Sequence, residues 1–301
     1  MNAAICYFAY RRPEKLAITL EALLNCEGIE RTPIVIVEDV SAKLEKDPEQ
    51  LAVNAYIKKF IARNPGLNIE HIRWKNHAGP LISLTRGFMY ALNKYGAALR
   101  VEDDIEVRPD YLRYMNSALE FYRDDPHIFG ICPFTWERNL AFEFEHDIVL
   151  MRDCSMWGLG TWRDRYEKVF SFIWNTDEDV LNEKSIQYSK VVLCSSKVPE
   201  HVRRNDYHIL EHCMGTYPSF DFVEDTLTSA YVWDKHYYCV FSRTNYVKYH
   251  GFDNSGTDRD FYYLWRRHLK KNSVNHPFHM SEKRFQFPFS DDFGYHYAGE
   301  L

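Results

Sequence analysis

The strongest constraint on how this chain can fold is an alternation in its first 135 residues. Short, wholly apolar runs alternate with segments whose apolar residues recur at helical spacing. Ala3 to Phe8 is the first such run. Pro13 follows where a helix would begin, and Leu16, Leu20, Leu23 and Leu24 continue at helical steps. Pro33 precedes a second run, Ile34 to Val37, which ends in Glu38-Asp39. A helix about Glu49 to Arg63, stopped by Asn64-Pro65-Gly66, leads to a strand about Leu67 to Trp74. The loop Asn76-His77-Ala78-Gly79-Pro80 opens a helix with Leu81, Leu84, Phe88 and Leu92 on one face. Gly96 closes it, and Ala97 to Val101 is the next strand. Strands this apolar are buried on both faces, and repeated βα units imply a mostly parallel sheet with right-handed crossovers. The expected class is α/β. Residues 1–135 form the regular half, and 136–301, less regular and richer in aromatics and histidines, form a second half on the same sheet.

Composition excludes several function classes. The net charge is −6 and no long basic run occurs, which excludes nucleic acid as the main partner. The seven cysteines form no CxxC pair, so their spacing suggests reduced thiols in a cytoplasmic protein and no zinc site. No run approaches the ~20 apolar residues of a membrane span. The opening apolar run reads as a buried strand and not as a signal peptide. Peripheral attachment to a membrane stays open, as does the oligomeric state.

The chemistry-bearing feature is Glu102-Asp103-Asp104, directly after the strand Ala97 to Val101. Ligands of parallel sheets bind beyond the carboxyl ends of the strands. A bare acidic triplet can be a solvated turn. At the end of a buried strand, adjacent carboxylates repel one another unless a cation joins them, and a hard ion such as Mg²⁺ or Mn²⁺ takes such oxygens and bridges to phosphate.

The segment Val101 to Tyr111 resembles the "EDD…P.(F/Y)" stretch of GT-A glycosyltransferases, in particular the N-acetylglucosaminyltransferase I type and bacterial polysaccharide and lipopolysaccharide sugar transferases. Ala9-Tyr10-Arg11-Arg12-Pro13 is similar to their "(Y/F).RP" opening. Asn76 to Gly87 is similar to the stretch leading to the acidic strand, and Cys154 to Trp162 to their "WGWATW" block. Together the matches span roughly residues 3 to 260. The resemblance implies a Rossmann-like GT-A fold with a nucleotide-sugar half and an acceptor-side half. It implies a metal-dependent transferase moving a sugar from a nucleotide diphosphate, uridine-linked, to a hydroxyl of a glycan or lipid-linked glycan in surface polysaccharide synthesis.

The resemblance assigns the metal to Asp104 and the donor to Ala9, Tyr10, Arg11, Pro13, Glu38, Asn76, Arg86, Glu102 and Asp103. Trp157, Gly158, Trp162 and Glu224 are expected to wall the donor sugar and acceptor. The general base is expected at Asp225, in preference to Asp221 or Glu224, which implies inversion at the anomeric carbon. Where the family has a histidine that helps hold the metal, this chain has Asp258, so that role falls to Asp258, moves to His250 or is lost. Two rivals stand beside this reading. One is a non-catalytic glycan- or nucleotide-binding module of the same fold. The other is a sugar-phosphate nucleotidyltransferase, disfavoured because no glycine-rich loop follows the first strand.

Overall fold

The computed structural model describes residues 2–43, 46–134, 148–152, 154–175, 182–185, 223–242 and 244–250. Its first part runs β1 (Ala4–Ala9), α1 (Pro13–Leu24), β2 (Ile34–Glu38), α2 (Pro48–Arg63), β3 (Ile69–Arg73), α3 (Pro80–Tyr95), β4 (Ala97–Glu102), β5 (Ile105–Val107), α4 (Tyr111–Phe121) and β6 (Ile128–Cys132). Then come β7 (Ile148–Met151), β8 (Gly160–Trp162), α5 (Arg163–Ile173), α6 (Val223–Asp234), β9 (Tyr238–Ser242) and β10 (Val247–Tyr249). The expected strands and helices of the first half are present, with ends shifted by a residue or two.

Eight strands form one sheet in the order β3-β2-β1-β4-β8-β6-β9-β7. The pairs among β3, β2, β1 and β4 are parallel, as is β6 with β9. Strands β8 and β7 run the other way. The α/β class read from the sequence, a mostly parallel central sheet flanked by helices, is therefore the one observed. Strands from both sides of residue 135 share this sheet.

Alternation along each strand builds two cores. Ile5, Tyr7 and Ala9, Ile34 and Ile36, and Leu99 and Val101 face α1, α2 and α4. Cys6 and Phe8, Val35 and Val37, and Ala98 face α3, α5 and α6. Side chains of period two thus fill both faces of strands that have no solvent side. The helices follow from their sequence: Pro13, Pro48 and Pro80 each stand in the first turn, and Asp47 caps α2 by accepting from the Gln50 N–H. A two-stranded ribbon of β5 and β10 lies beside the main sheet. Among the described residues no helix is long and apolar enough to cross a membrane.

Where β8 enters the sheet, glycines let backbones and side chains approach closely. A Cβ on Gly130 would lie 2.8 Å from the Gly160 carbonyl oxygen, and one on Gly160 would lie 2.7 Å from the Met115 terminal methyl. Backbone cannot yield, whereas a methionine end can. Gly130→Ala should therefore destabilise by about 3 kcal/mol and Gly160→Ala by about 1 kcal/mol. Urea unfolding of the two variants checks this, and the reverse ranking would contradict the packing argument.

Candidate functional site

Parallel pairing of β2, β1 and β4 sets their carboxyl ends in one row, with Ala9 opposite Glu38 and Phe8 opposite Glu102. The chain segments that follow these strands build the site.

Strand parity divides the acidic triplet between two arginines. Glu102 shares its face of β4 with Arg100, and the Arg100 Nε and Nη2 groups donate to the Glu102 carboxylate at 3.0 and 2.8 Å. Asp103 and Asp104 follow in the tight turn into β5 and meet Arg12, the residue just before α1. Arg12 Nη1 donates to Asp104 Oδ2 at 2.7 Å, and its Nε and Nη2 donate to Asp103. The Tyr10 N–H adds a bond to Asp103 Oδ2 at 3.3 Å.

Both aspartates are buried. Burial, with repulsion from Asp104, pushes the Asp103 carboxyl up to about 7 although Arg12 opposes the rise. Burial, with Glu102 adding to it, raises Asp104 against the same arginine. Burial would lower Arg12, but the two carboxylates outweigh it and hold its guanidinium firmly charged. One arginine thus does not fully offset the cost of desolvating two carboxylates in this turn.

The backbone around Asp104 is clamped from late in the chain. β10 pairs with β5, the His250 N–H donates to the Asp104 carbonyl at 2.8 Å, and Lys15 Nζ donates to the His250 carbonyl at 2.8 Å. The His250 ring is engaged by Glu106 at 2.6 Å. Asp258, the other expected candidate at this place, lies outside the described residues.

On the opposite face of β4, Arg100 is fully enclosed and gathers three acids. Its Nη1 lies 2.9 Å from Glu224 and its Nη2 lies 3.9 Å from Asp225, both in the first turn of α6. The Tyr166 hydroxyl also bonds to Glu224. Glu224 is thereby buried and locked, and burial raises its carboxyl despite Arg100. Asp225 stands at the rim with its side chain 56% exposed.

Other expected site residues fall into different places. Arg11 has a left-handed backbone (φ 53°), which turns its side chain away from that of Arg12. It pairs with Asp47 and Glu49 at the start of α2. Glu38 is fully buried and accepts from Gln50, Asn54, His71 and Arg73 at 2.8 to 3.1 Å. With both oxygens occupied twice, its carboxylate faces protein groups and not the open end of the sheet. Its neighbour Asp39 holds the following loop by accepting from the Ala78 and Gly79 N–H groups. In that loop His77 stacks on Tyr10, with centroids 5.5 Å apart, while Asn76 is exposed.

Pro13 opens α1, and Arg86 lies over the Trp174 ring, 5.7 Å from its centroid. Trp162 is entirely enclosed in the core as the last residue of β8, so it walls no binding surface. Its expected role is corrected by that burial. Trp157 is half-buried and stacks on Tyr249 at 4.1 Å. Gly158 takes φ 81°, and a Cβ there would lie 2.8 Å from Pro133, so close packing accounts for this glycine. The residues that sequence reading passed over are Arg12 and Arg100. The Arg11-Arg12 pair gave no means of telling which one turns inward, and Arg100 sits in a strand position whose parity asks for an apolar residue.

No protein-family model and no curated protein matches the chain. Among solved structures it is similar to the mannosyltransferase PcManGT from Pyrobaculum calidifontis in complex with GDP-Man and Mn²⁺. The identity is 12% over 77% of this chain and 69% of that one, with a TM-score of 0.45. It is also similar to S. aureus TarS (12% identity, 90% of this chain, 39% of that one, TM-score 0.43) and to GalNAc-T7 with UDP, GalNAc and Mn²⁺ (11%, 80%, 41%, 0.44). The chain spans less than half of the latter two. Superpositions at this level transfer no residue role to it.

Two expected outcomes follow from the charge network. Arg100→Met leaves the Glu224 carboxylate buried without its cation and should destabilise by about 3–5 kcal/mol, while Arg100→Met/Glu224→Leu recovers most of the loss. Denaturant unfolding decides, and strictly additive losses would contradict a buried pair.

Glu38 behaves in the depressed-carboxyl sense. Burial would raise it, but bonds from His71, Asn54, Gln50 and Arg73 bring it below the usual range. Its stabilisation is then full at neutral pH and is lost as pH falls from about 4.3, the ordinary carboxylate value, through the lower folded one. Melting curves from neutral to about pH 3 should show a flatter acid limb in Glu38→Gln.

Proposed function

We propose that the chain is a metal-dependent glycosyltransferase of GT-A type that moves a sugar from a nucleotide-diphosphate donor to a hydroxyl of a glycan acceptor. One observation carries the reading: two buried adjacent aspartates at the carboxyl end of a central strand share a single arginine, and burial raises both carboxyls despite it. The ordered sequence resemblance around that strand supports it.

The residues present fit a hard divalent ion. They supply carboxylate oxygens, and the raised Asp103 and Asp104 carboxyls mark a place where added positive charge is stabilising. Asp104 commits one oxygen to Arg12, whereas Asp103 commits both, so Asp104 is the better anchor for Mn²⁺ or Mg²⁺. When bound, such an ion neutralises charge that builds on a diphosphate leaving group.

The remaining work falls to side chains. Arg12 holds the aspartate pair in register and adds a second positive charge beside the diphosphate. The stacked Tyr10 and His77 offer an aromatic face at the ends of β1 and β2 for a nucleobase, uracil by the resemblance. Asp225 takes the proton from the attacking acceptor hydroxyl, which gives inversion at the anomeric carbon. Arg100 and Glu224 fix the first turn of α6, which presents Asp225. The acceptor is read as a surface polysaccharide or its lipid-linked precursor, handled in the cytoplasm.

A second reading has one observation in its favour. The close hold of Arg12 on both aspartates is what a metal-free nucleotide-binding module of the same fold would keep. Turnover of a panel of nucleotide-diphosphate sugars, with Mn²⁺ and with EDTA, separates the two. Activity should vanish in EDTA and fall by about 10²-fold or more in Asp104→Ala. Asp225→Asn should lower turnover by about 10²–10⁴-fold with donor affinity kept. Full turnover in EDTA would sink the metal role, and full turnover of Asp225→Asn would remove it as the base. Thermal stabilisation by nucleoside diphosphates without any turnover would favour the binding module.

A further inference from the structure

Three cysteines that are far apart in the sequence converge on the α3–α5–α6 face of the sheet. Cys132 ends β6, Cys239 lies in its parallel neighbour β9, and Cys154 lies in the loop after the edge strand β7. Gly130 stands opposite Cys239 and Cys132 opposite Phe241, so Cys132 and Cys239 are diagonal neighbours on one face. The three Sγ atoms all lie within 4.8 Å of one another. A fourth sulfur lies beside one of them, with Met156 Sδ 3.8 Å from Cys154 Sγ. Cys132 and Cys239 have no exposed surface, and Met156 and Cys154 have 2% and 8%. The Ser155 N–H points at Cys132 Sγ from 3.4 Å.

Small apolar packing accounts for one buried cysteine but not for four sulfurs brought together by two strands and a loop. A metal ion bound by thiolates at ~2.3 Å sets its sulfurs roughly 4 Å apart in a trigonal or tetrahedral site. The three Sγ atoms, all within 4.8 Å of one another, are near enough for one such ion to gather them. Among the described residues the group consists of sulfur donors, which suit a soft ion better than a hard one. Thiolates with a thioether select a soft ion, and the thioether as fourth donor favours Cu(I) over Zn(II). A backbone N–H to sulfur offsets part of the cost of a buried thiolate.

We propose that Cys132, Cys154 and Cys239, with Met156 as the weaker fourth ligand, form a binding site for one Cu(I) ion. Binding replaces thiol protons with metal–sulfur bonds and involves no change of oxidation state, since copper enters as Cu(I). The site is separate from Asp103 and Asp104 and does not depend on the proposed transferase activity. Its effect is to tie the edge of the sheet and the loop before Trp157 to the interior.

Anaerobic titration of the full chain with Cu(I), in competition with a chromophoric Cu(I) chelator, tests this. One Cu(I) per chain is expected, with ultraviolet thiolate-to-copper absorption and a raised melting temperature. Cys132→Ala and Cys239→Ala should each lose binding at least 100-fold, and Met156→Leu about tenfold, with circular dichroism as the check on folding. Where an alanine variant does not fold, X-ray absorption of the copper-loaded wild type replaces it, and a first shell of three or four sulfurs is expected. The proposal is overturned if the chelator strips all copper, if folded Cys132→Ala and Cys239→Ala bind as the wild type does, if nitrogen or oxygen fills the first shell, or if the chain retains Zn(II) but not Cu(I).

Discussion

The structure turns on how negative charge is managed at the end of β4. Three consecutive acids stand at the carboxyl end of a buried central strand, and three bare carboxylates in so desolvated a place would repel one another by several kcal/mol. Two arginines on opposite sides of the strand prevent this. Arg12 reaches Asp103 and Asp104 from the start of α1, and Arg100 holds Glu102 from within β4 and extends to Glu224 on α6. The triplet is therefore the point through which a helix on each face is tied to the central strand. The same feature explains its chemistry. On one side a buried arginine is ion-paired with Glu102 and Glu224, and on the other the raised carboxyls of Asp103 and Asp104 still favour added positive charge.

Much of this architecture is legible in the sequence because burial on both faces leaves a strong local mark. Ala3 to Phe8 and Ile34 to Val37 are wholly apolar, and only strands between two helical layers tolerate that. Proline in the first turn and glycine after the last turn mark helix ends almost as well. The short strands β5, β8 and β10 are not legible. Three residues carry no periodicity, and their pairing depends on partners far along the chain.

The site is legible in kind but not in detail. An acidic triplet after a buried strand points to Asp103 and Asp104 without help from the fold. Which of Arg11 and Arg12 turns toward them depends on one backbone angle at Arg11, and composition does not encode that angle visibly. Glu38 is assigned to the donor by the resemblance, yet four protein donors already occupy it. Trp162 is assigned to the wall by the resemblance, yet it is enclosed in the core. The cysteines show the limit of spacing rules most plainly, since the registers of β6, β9 and β7 gather residues that no short motif connects.

The clamp of β10 on β5 has a consequence for how the protein is made. The turn at Asp104 is held in part by the His250 N–H and by Lys15 acting through the His250 carbonyl. A ribosome adding about 5–20 residues per second delivers His250 roughly 7–30 seconds after Asp104. During that interval the parallel strands β1 to β4 can pair and bury their faces while the acidic turn lacks its last backbone partner. The aspartates thus sit at the seam where the earliest and latest described parts of the chain are sewn together, and the site is finished only when the second of them arrives.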